Sequence, residues 1–137
     1  MPVIVGQTLW QFANRFSLGE TAPGGGNTIC INGGIIWIVA PASSEVSRTW
    51  YCRNHAVTTA TNCTSATGWF VPTCGQLKNP GYTCRTYWDS YSSAYYWSST
   101  EYLSNSAWVV CFGIGNTSTS GNKSSANCVR AFRCVSY

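Results

Sequence analysis

Residues 95–112 have the sequence YYWSSTEYLSNSAWVVCF, and their pattern favours two β-strands that pair with each other. Aromatic and β-branched residues dominate both ends of this segment, at residues 95–100 and 107–112, as is typical of strands in a half-buried sheet. Residues 101–106 between them are mostly small and polar, which indicates a connecting loop. The C-terminal half of the chain is therefore expected to contain an antiparallel sheet.

Other segments extend this sheet. Residues 28–31 and 35–39 are rich in Ile and Val and flank Asn32-Gly33-Gly34, a strong signal for a β-hairpin. Residues 113–126 are polar and contain Gly, so we expect a loop there. In residues 127–135, side chains of different character alternate along the sequence, as they do on the two faces of a strand, so one final strand is predicted there.

Two short helices are expected between these strands. Residues 42–60 lack Gly and Pro and place their apolar residues at mostly helical spacing, which predicts a single amphipathic helix capped by Ser43 or Ser44. Thr73 and Gln76 have the spacing of a capping box, so a second helix should begin there. The sequence thus predicts an α+β fold, a twisted antiparallel sheet with two short helices and long loops.

A chain of 137 residues has the size of one domain. A turn-rich segment at 21–27 separates an N-terminal arm, residues 1–27, from a domain formed by residues 28–137. The arm is apolar enough to dock on another protein. Its expected attachment contacts are Trp10, Phe12 and Phe16.

The composition excludes several classes of protein. The formal charge of +4 is spread along the chain without a basic run, so nucleic-acid binding is not expected. There is no secretory signal and no apolar run long enough for a membrane span, which predicts a soluble protein that folds in a reducing compartment.

The chain is cysteine-rich, with eight cysteines but no C-x-x-C pair, so we expect no metal site. Free thiols are at least as compatible with these features as disulfides.

Four motifs resemble the lectin-like domain at the C-terminus of bacterial collagen-like adhesins. They are GWFVPT at 68–73, YWSSTE at 96–101, AWVV at 107–110, and NKS with VR at 122–124 and 129–130. The resemblance implies a C-type-lectin-like fold, which formylglycine-generating enzymes and variable tail proteins of phages share. Phe70 and Gln76 depart from the family, which usually has a basic and an acidic residue there. The N-terminal arm and residues 40–51 also resemble small structural proteins of tailed phages.

Catalysis is not expected from this sequence. His55 is the only histidine, and although Cys52 lies three residues before it, no third group is evident that would orient the pair. The chain has only four acidic residues, too few to suggest the paired carboxylates of a glycosidase. We therefore expect no catalytic residues and no cofactor, although an enzyme of the sulfatase-modifying type remains an alternative.

Binding is expected instead, because Tyr and Trp offer flat apolar faces with a polar edge that suit sugar rings and protein surfaces. Trp97 and Trp108 belong to the strand motifs and are expected in the core. Calcium is not expected, since Glu101, Asn105 and Asp89 offer too few oxygens. The candidate ligand-binding residues lie in or beside loops and are Tyr91, Tyr95, Glu101, Tyr102, Asn105, Ser106, Asn122 and Lys123.

The resemblance to small tailed-phage proteins implies a phage virion structural protein, either a capsid decoration or a tail or tail-fibre component. It would assemble in the host cytoplasm as an oligomer, with major capsid or tail proteins as partners, and would display a lectin-like domain for host attachment through surface glycans. The alternative is a glycan-binding adhesin module on the bacterial cell surface.

Overall fold

The structure, a computed structural model, describes residues 15–114 and 117–137 and has an α+β fold. Its α-helices are α1 (His55–Cys63) and α2 (Cys74–Gln76). Short 3-10 turns occur at Ala42–Ser44, Trp50–Cys52 and Arg85–Tyr87. The strands are β1 (Asn27–Asn32), β2 (Ile35–Val39), β3 (Val46–Arg48), β4 (Tyr95–Leu103), β5 (Ser106–Cys111), β6 (Thr117–Asn122), β7 (Asn127–Val129) and β8 (Phe132–Ser136).

These strands form two sheets. One has the order β1-β2-β8 and the other the order β3-β7-β4-β5-β6. Neighbouring strands are antiparallel, except that β4 and β7 are parallel where Tyr96 pairs with Cys128. The predicted antiparallel character is therefore confirmed, but the strands divide into two sheets rather than one. None of the helices in the described ranges is long and apolar enough to cross a bilayer.

The hairpin predicted around Asn32 is confirmed. Asn32 pairs with Ile35, which leaves Gly33 and Gly34 as a two-residue turn between β1 and β2. Both glycines have positive φ angles, 59° and 81°. Hairpin turns of this kind require positive φ at both central positions, which glycine adopts without strain.

The helix predicted for residues 42–60 is wrong over most of its length. Only residues 55–60 of this range are α-helical, as part of α1, which buries Ala56 and Ala60 one turn apart, and Ala42–Ser44 and Trp50–Cys52 form separate 3-10 turns. Neither Ser43 nor Ser44 caps it, and the Ser44 hydroxyl donates to the Pro41 carbonyl instead. Residues 46–48 form β3 instead, which pairs with β7. Pairing with a strand distant in sequence thus overrides the local helical spacing.

The second helix begins as predicted. The Thr73 hydroxyl accepts a hydrogen bond from the Gln76 amide, and the Thr73 amide donates to the Gln76 side chain. This reciprocal pair is a capping box. After α2 a wider helical turn, Leu77–Tyr82, is interrupted at Asn79, which has non-helical backbone angles.

Three strand predictions need correction. β4 continues to Leu103, so residues 101–103 are strand rather than loop. The segment predicted as a polar loop contains β6, which pairs with β5 along the sheet edge. The single final strand is broken between Val129 and Phe132, because β7 and β8 belong to different sheets.

The core contains Trp97, Tyr96 and Phe132, each at most 1% exposed. The prediction that Trp97 lies in the core is confirmed. The same prediction for Trp108 is wrong, because Trp108 is only half buried and lies outside the core clusters. Gly121 packs directly on the Trp97 ring, where an added Cβ would lie 2.7 Å from two ring carbons. β6 can therefore lie close to the core only because residue 121 has no side chain.

The N-terminal boundary is less sharp than the sequence suggested. Phe16 is 5% exposed and packs in the core with Ile36 and Trp69. The Gly19 amide donates to the Thr28 carbonyl, so residues near 19 are bonded to β1. Phe16 thus serves the domain's own core rather than an exposed attachment surface. The other expected attachment residues, Trp10 and Phe12, lie outside the described residues.

Candidate functional site

A cavity of about 340 Å³ lies at the tip of the β4–β5 hairpin, beside the end of β6. We call it the hairpin groove. Ser106 pairs with Asn122 across β5 and β6, and the Lys123 amide donates to the Asn105 carbonyl at 2.9 Å. These backbone bonds hold the tip against β6. The residues that line the groove are Tyr102, Leu103, Asn105, Ser106, Ser120 and Asn122.

Four of the predicted ligand-binding residues therefore share one concave site. The Tyr102 side chain is 46% exposed and packs edge-on against Trp108, with ring centroids 5.0 Å apart. This contact fixes the orientation of a large amphipathic ring at the mouth of the groove. The Asn122 side-chain oxygen accepts from the Ser124 amide at 2.9 Å, so the Asn122 side chain is oriented as well.

Ser106 is the most informative of these residues. It is 6% exposed, and its buried hydroxyl has no hydrogen-bond partner within the described part of the chain. A buried polar group without a partner costs free energy, and such groups often mark positions where a water or a ligand binds. Because Ser106 lines the groove, its hydroxyl is a candidate contact for a bound molecule.

Lys123, which is predicted to be a ligand-binding residue, is buried. It is 2% exposed, and its ammonium group forms an ion pair with Glu101 and donates to the Ser104 carbonyl at 3.0 Å. The same group lies 4.4 Å from the centre of the Trp50 ring. Glu101 is exposed but is bound to Lys123. The pair therefore supports the hairpin tip from behind, and Lys123 is not available to a ligand.

The two predicted tyrosines lie outside the hairpin groove. Tyr95 lines an adjacent hollow of about 240 Å³, which shares Ser120 and Asn122 with the groove. Tyr91 is 41% exposed and its ring packs near Trp88, 6.2 Å between centroids, without lining either cavity. Tyr95 thus extends the site along β6, whereas Tyr91 is separate from it.

The two carboxylates considered as calcium ligands already bind cationic side chains. Glu101 binds Lys123, and Asp89 accepts from Arg130 at 2.5 Å. In residues 15–114 and 117–137, three or more His, Cys, Asp or Glu side chains do not cluster in a way that would hold a metal ion. Cys52 and His55 are both exposed at the N-terminal side of α1.

All eight cysteines are free thiols. Burial raises the pKa of the Cys30 thiol, which also lies next to Cys84, and burial likewise raises the pKa of Cys128. The pKa of Cys134 is raised to about 11 by burial. A raised pKa favours the thiol over the nucleophilic thiolate, so these three side chains are poorly suited to covalent chemistry at neutral pH.

No family model matches this chain. No curated protein matches it either.

Sequence reasoning missed two residues of the hairpin groove, Leu103 and Ser120. Ser120 lies in a polar segment in which no pattern distinguishes one serine from another. The sequence also did not predict a third cavity, beside α1, in which Arg53 is the charged residue. The spacing of Trp50 and Arg53 was a usable signal there, because residues three apart contact each other in helical turns.

Proposed function

We propose that this protein is a non-enzymatic binding module whose hairpin groove holds a neutral glycan. The observation that carries the proposal is the unpartnered Ser106 hydroxyl in a concave site beside the exposed Tyr102 ring. A sugar presents an apolar ring face together with several hydroxyls, and it needs an aromatic platform and fixed polar partners at the same time. Tyr102 supplies the platform, and Asn105, Ser106 and Asn122 supply the polar groups.

The electrostatics of the groove favour an uncharged ligand. None of the six residues that line it is ionisable near neutral pH. The nearest charges, Lys123 and Glu101, are paired with each other. A charged ligand would therefore be desolvated without gaining a counter-charge.

We also propose that the fold is C-type-lectin-like. The antiparallel sheets, the two short helices and the long connecting segments support this assignment. The motif at residues 68–73 supports it as well, since Phe70 forms backbone bonds in both directions with Phe132 of β8. The motifs from the middle and the end of the chain thus meet in one structural unit.

For the setting of the module, we propose a phage virion, as a capsid decoration or tail-associated protein bound to major capsid or tail proteins. The support is the resemblance of residues 40–51 and of the N-terminal arm to small tailed-phage proteins. A bacterial cell-surface adhesin is the second candidate, supported by the lectin-like motifs. Both candidates use the same groove.

A glycan array followed by calorimetric titration tests the binding proposal. We expect a neutral glycan to bind, and Tyr102→Ala or Asn105→Ala to weaken binding by about tenfold or more, since each removes a contact with the sugar. Tyr51→Ala and Asn62→Ala are matched controls, because both residues are exposed and lie outside the groove. Equal binding by all four variants, or no bound glycan at all, would contradict the proposal.

Electron microscopy of particles separates the two settings. A decoration or tail protein occupies symmetry-related positions at fixed stoichiometry. Immunolabelling of intact bacteria tests the adhesin. Labelled particles with unlabelled cells favour the virion, and the reverse result favours the adhesin.

A further inference from the structure

A third cavity lies beside α1 and shares no residue with the hairpin groove. Its volume is about 480 Å³, within the range of small-molecule sites. We call it the α1 cavity. Its polar side chains include Arg53, Asn54, Thr58 and Ser99, and its apolar wall includes Trp69 and Phe70.

Arg53 is positioned at this cavity by two contacts with Trp50. Its guanidinium carbon lies 3.6 Å from the centre of the Trp50 ring, and its Nη1 donates to the Trp50 carbonyl at 3.0 Å. Its Nε is buried and has no hydrogen-bond partner in the described part of the chain. A guanidinium fixed in this way has donors left over for a planar acceptor.

The charges around Trp50 do not balance. Arg53 and Lys123 both lie over the Trp50 ring, but the one carboxylate near them, Glu101, is bound to Lys123. No Asp or Glu of the described residues lies within 4.0 Å of the Arg53 guanidinium. Burial lowers the pKa of Arg53, whereas the negative charge of Glu101 raises it by a smaller amount. A partly buried cation without its own counter-ion is stabilised by an anionic ligand.

We infer that the α1 cavity binds a small carboxylate attached to a ring that has an apolar face. Arg53 would receive the carboxylate, because its fork of donors matches two oxygens in one plane. Trp69 and Phe70 would contact the ring, and Asn54, Thr58 and Ser99 would bind its polar substituents. This site goes beyond the proposed function, because its ligand is charged and its residues are different.

Two sources of such a carboxylate are distinguishable by experiment. Calorimetric titration with glucuronate tests an acidic sugar, and titration with phenylacetate tests an aromatic acid. Phenylacetamide and methyl glucoside are the uncharged controls. We expect at least one carboxylate to bind at millimolar concentration or below and its uncharged control to bind about tenfold more weakly or not at all. The carboxylate that binds more tightly identifies the source.

Two pairs of variants connect this binding to the cavity. Arg53→Gln should weaken carboxylate binding by about tenfold or more, whereas Arg48→Gln, which removes an exposed arginine, should not change it. Thr58→Phe should block the cavity, whereas Thr61→Phe on the same helix should not. The Thr58 pair decides the result if Arg53→Gln fails to fold.

Equal affinity for the charged and uncharged compounds, or unchanged binding in both Arg53→Gln and Thr58→Phe, would overturn the inference. So would the absence of binding by either carboxylate. These outcomes are independent of the glycan titration, because the two cavities have no lining residue in common.

Discussion

The guanidinium group of Arg130 donates a hydrogen bond of 2.5 Å to the carboxylate of Asp89, although Arg130 is only 2% exposed. The same group donates to Glu45 at 2.9 Å and to the carbonyl oxygens of Ala40 and Ser90. Arg130 lies between β7 and β8 and thus connects its own segment to residues 40–45 and 89–90.

Replacement of Arg130 should destabilise the domain strongly. Arg130→Met removes every bond of the guanidinium and leaves Glu45 and Asp89 without their cationic partner, so we expect the free energy of unfolding to fall by about 3 kcal/mol. Urea denaturation followed by tryptophan fluorescence measures this. Arg48→Met, at an exposed arginine, should change it by less than about 0.5 kcal/mol. Similar losses in both variants would contradict the assigned role.

The ion pair behind the hairpin tip should respond unequally to removal of its two members. Lys123→Gln should cost more stability than Glu101→Gln, because Lys123 is buried and also contacts Ser104 and Trp50, whereas Glu101 is exposed. We expect about 2 kcal/mol for the lysine and about 1 kcal/mol for the glutamate. Thermal unfolding of both variants tests the order. A larger loss in Glu101→Gln would show that the carboxylate supports the tip by other contacts.

High pH should destabilise the fold through Tyr96. Burial raises the pKa of the Tyr96 phenol above its usual value near 10, and its hydrogen bond to Glu45 acts in the same direction. The unfolded chain therefore releases this proton at lower pH than the folded chain, so the contribution to stability is present below pH of about 10 and is lost as pH rises above it.

Urea titrations between pH of about 8 and 11 test this dependence, because Tyr96→Phe should reduce the loss of stability over that range. Tyr51→Phe, at an exposed tyrosine, should leave the loss as it is in the unmodified chain. An identical pH profile in the unmodified chain and Tyr96→Phe would exclude Tyr96 as its cause.

Gly121 should not tolerate even one methyl group. An added Cβ would lie 2.7 Å from the buried Trp97 ring and 2.9 Å from a Val109 methyl group, so Gly121→Ala must displace β6 or the core. We expect a loss of about 1–3 kcal/mol, together with weaker ligand binding in the hairpin groove, which β6 helps to form. Gly75→Ala is the control, because nothing lies within 4 Å of its added Cβ. Equal unfolding midpoints in the two variants would contradict the close packing of β6.

Local signals in the sequence predicted local structure well. The Asn32-Gly33-Gly34 turn and the capping box of Thr73 and Gln76 depend on residues close in sequence, and both are confirmed. The clustering of Tyr102 with Asn105 could also be predicted from the sequence, because both lie at one hairpin tip.

Features that depend on residues distant in sequence could not be predicted from the sequence alone. Residues 46–48 have helical spacing but form β3, because β7 offers them hydrogen bonds. Lys123 lies in a polar segment, yet Glu101 and Trp50 make its burial favourable. The pairing of β6 with β5 likewise has no counterpart in the polar composition of residues 117–122.

The placement of β2 between β1 and β8 has a consequence for how the chain can be altered. Arg133 of β8 donates to the Pro23 carbonyl, although the two residues are 110 apart in sequence. The two ends of the described chain are therefore in contact with each other, and this contact does not involve the hairpin tip. The turn at Ser104 and Asn105 contacts Lys123 through its main-chain carbonyl groups. Side chains randomised at these two positions would therefore vary the groove while the main-chain bonds and the Arg133 contact preserve the scaffold.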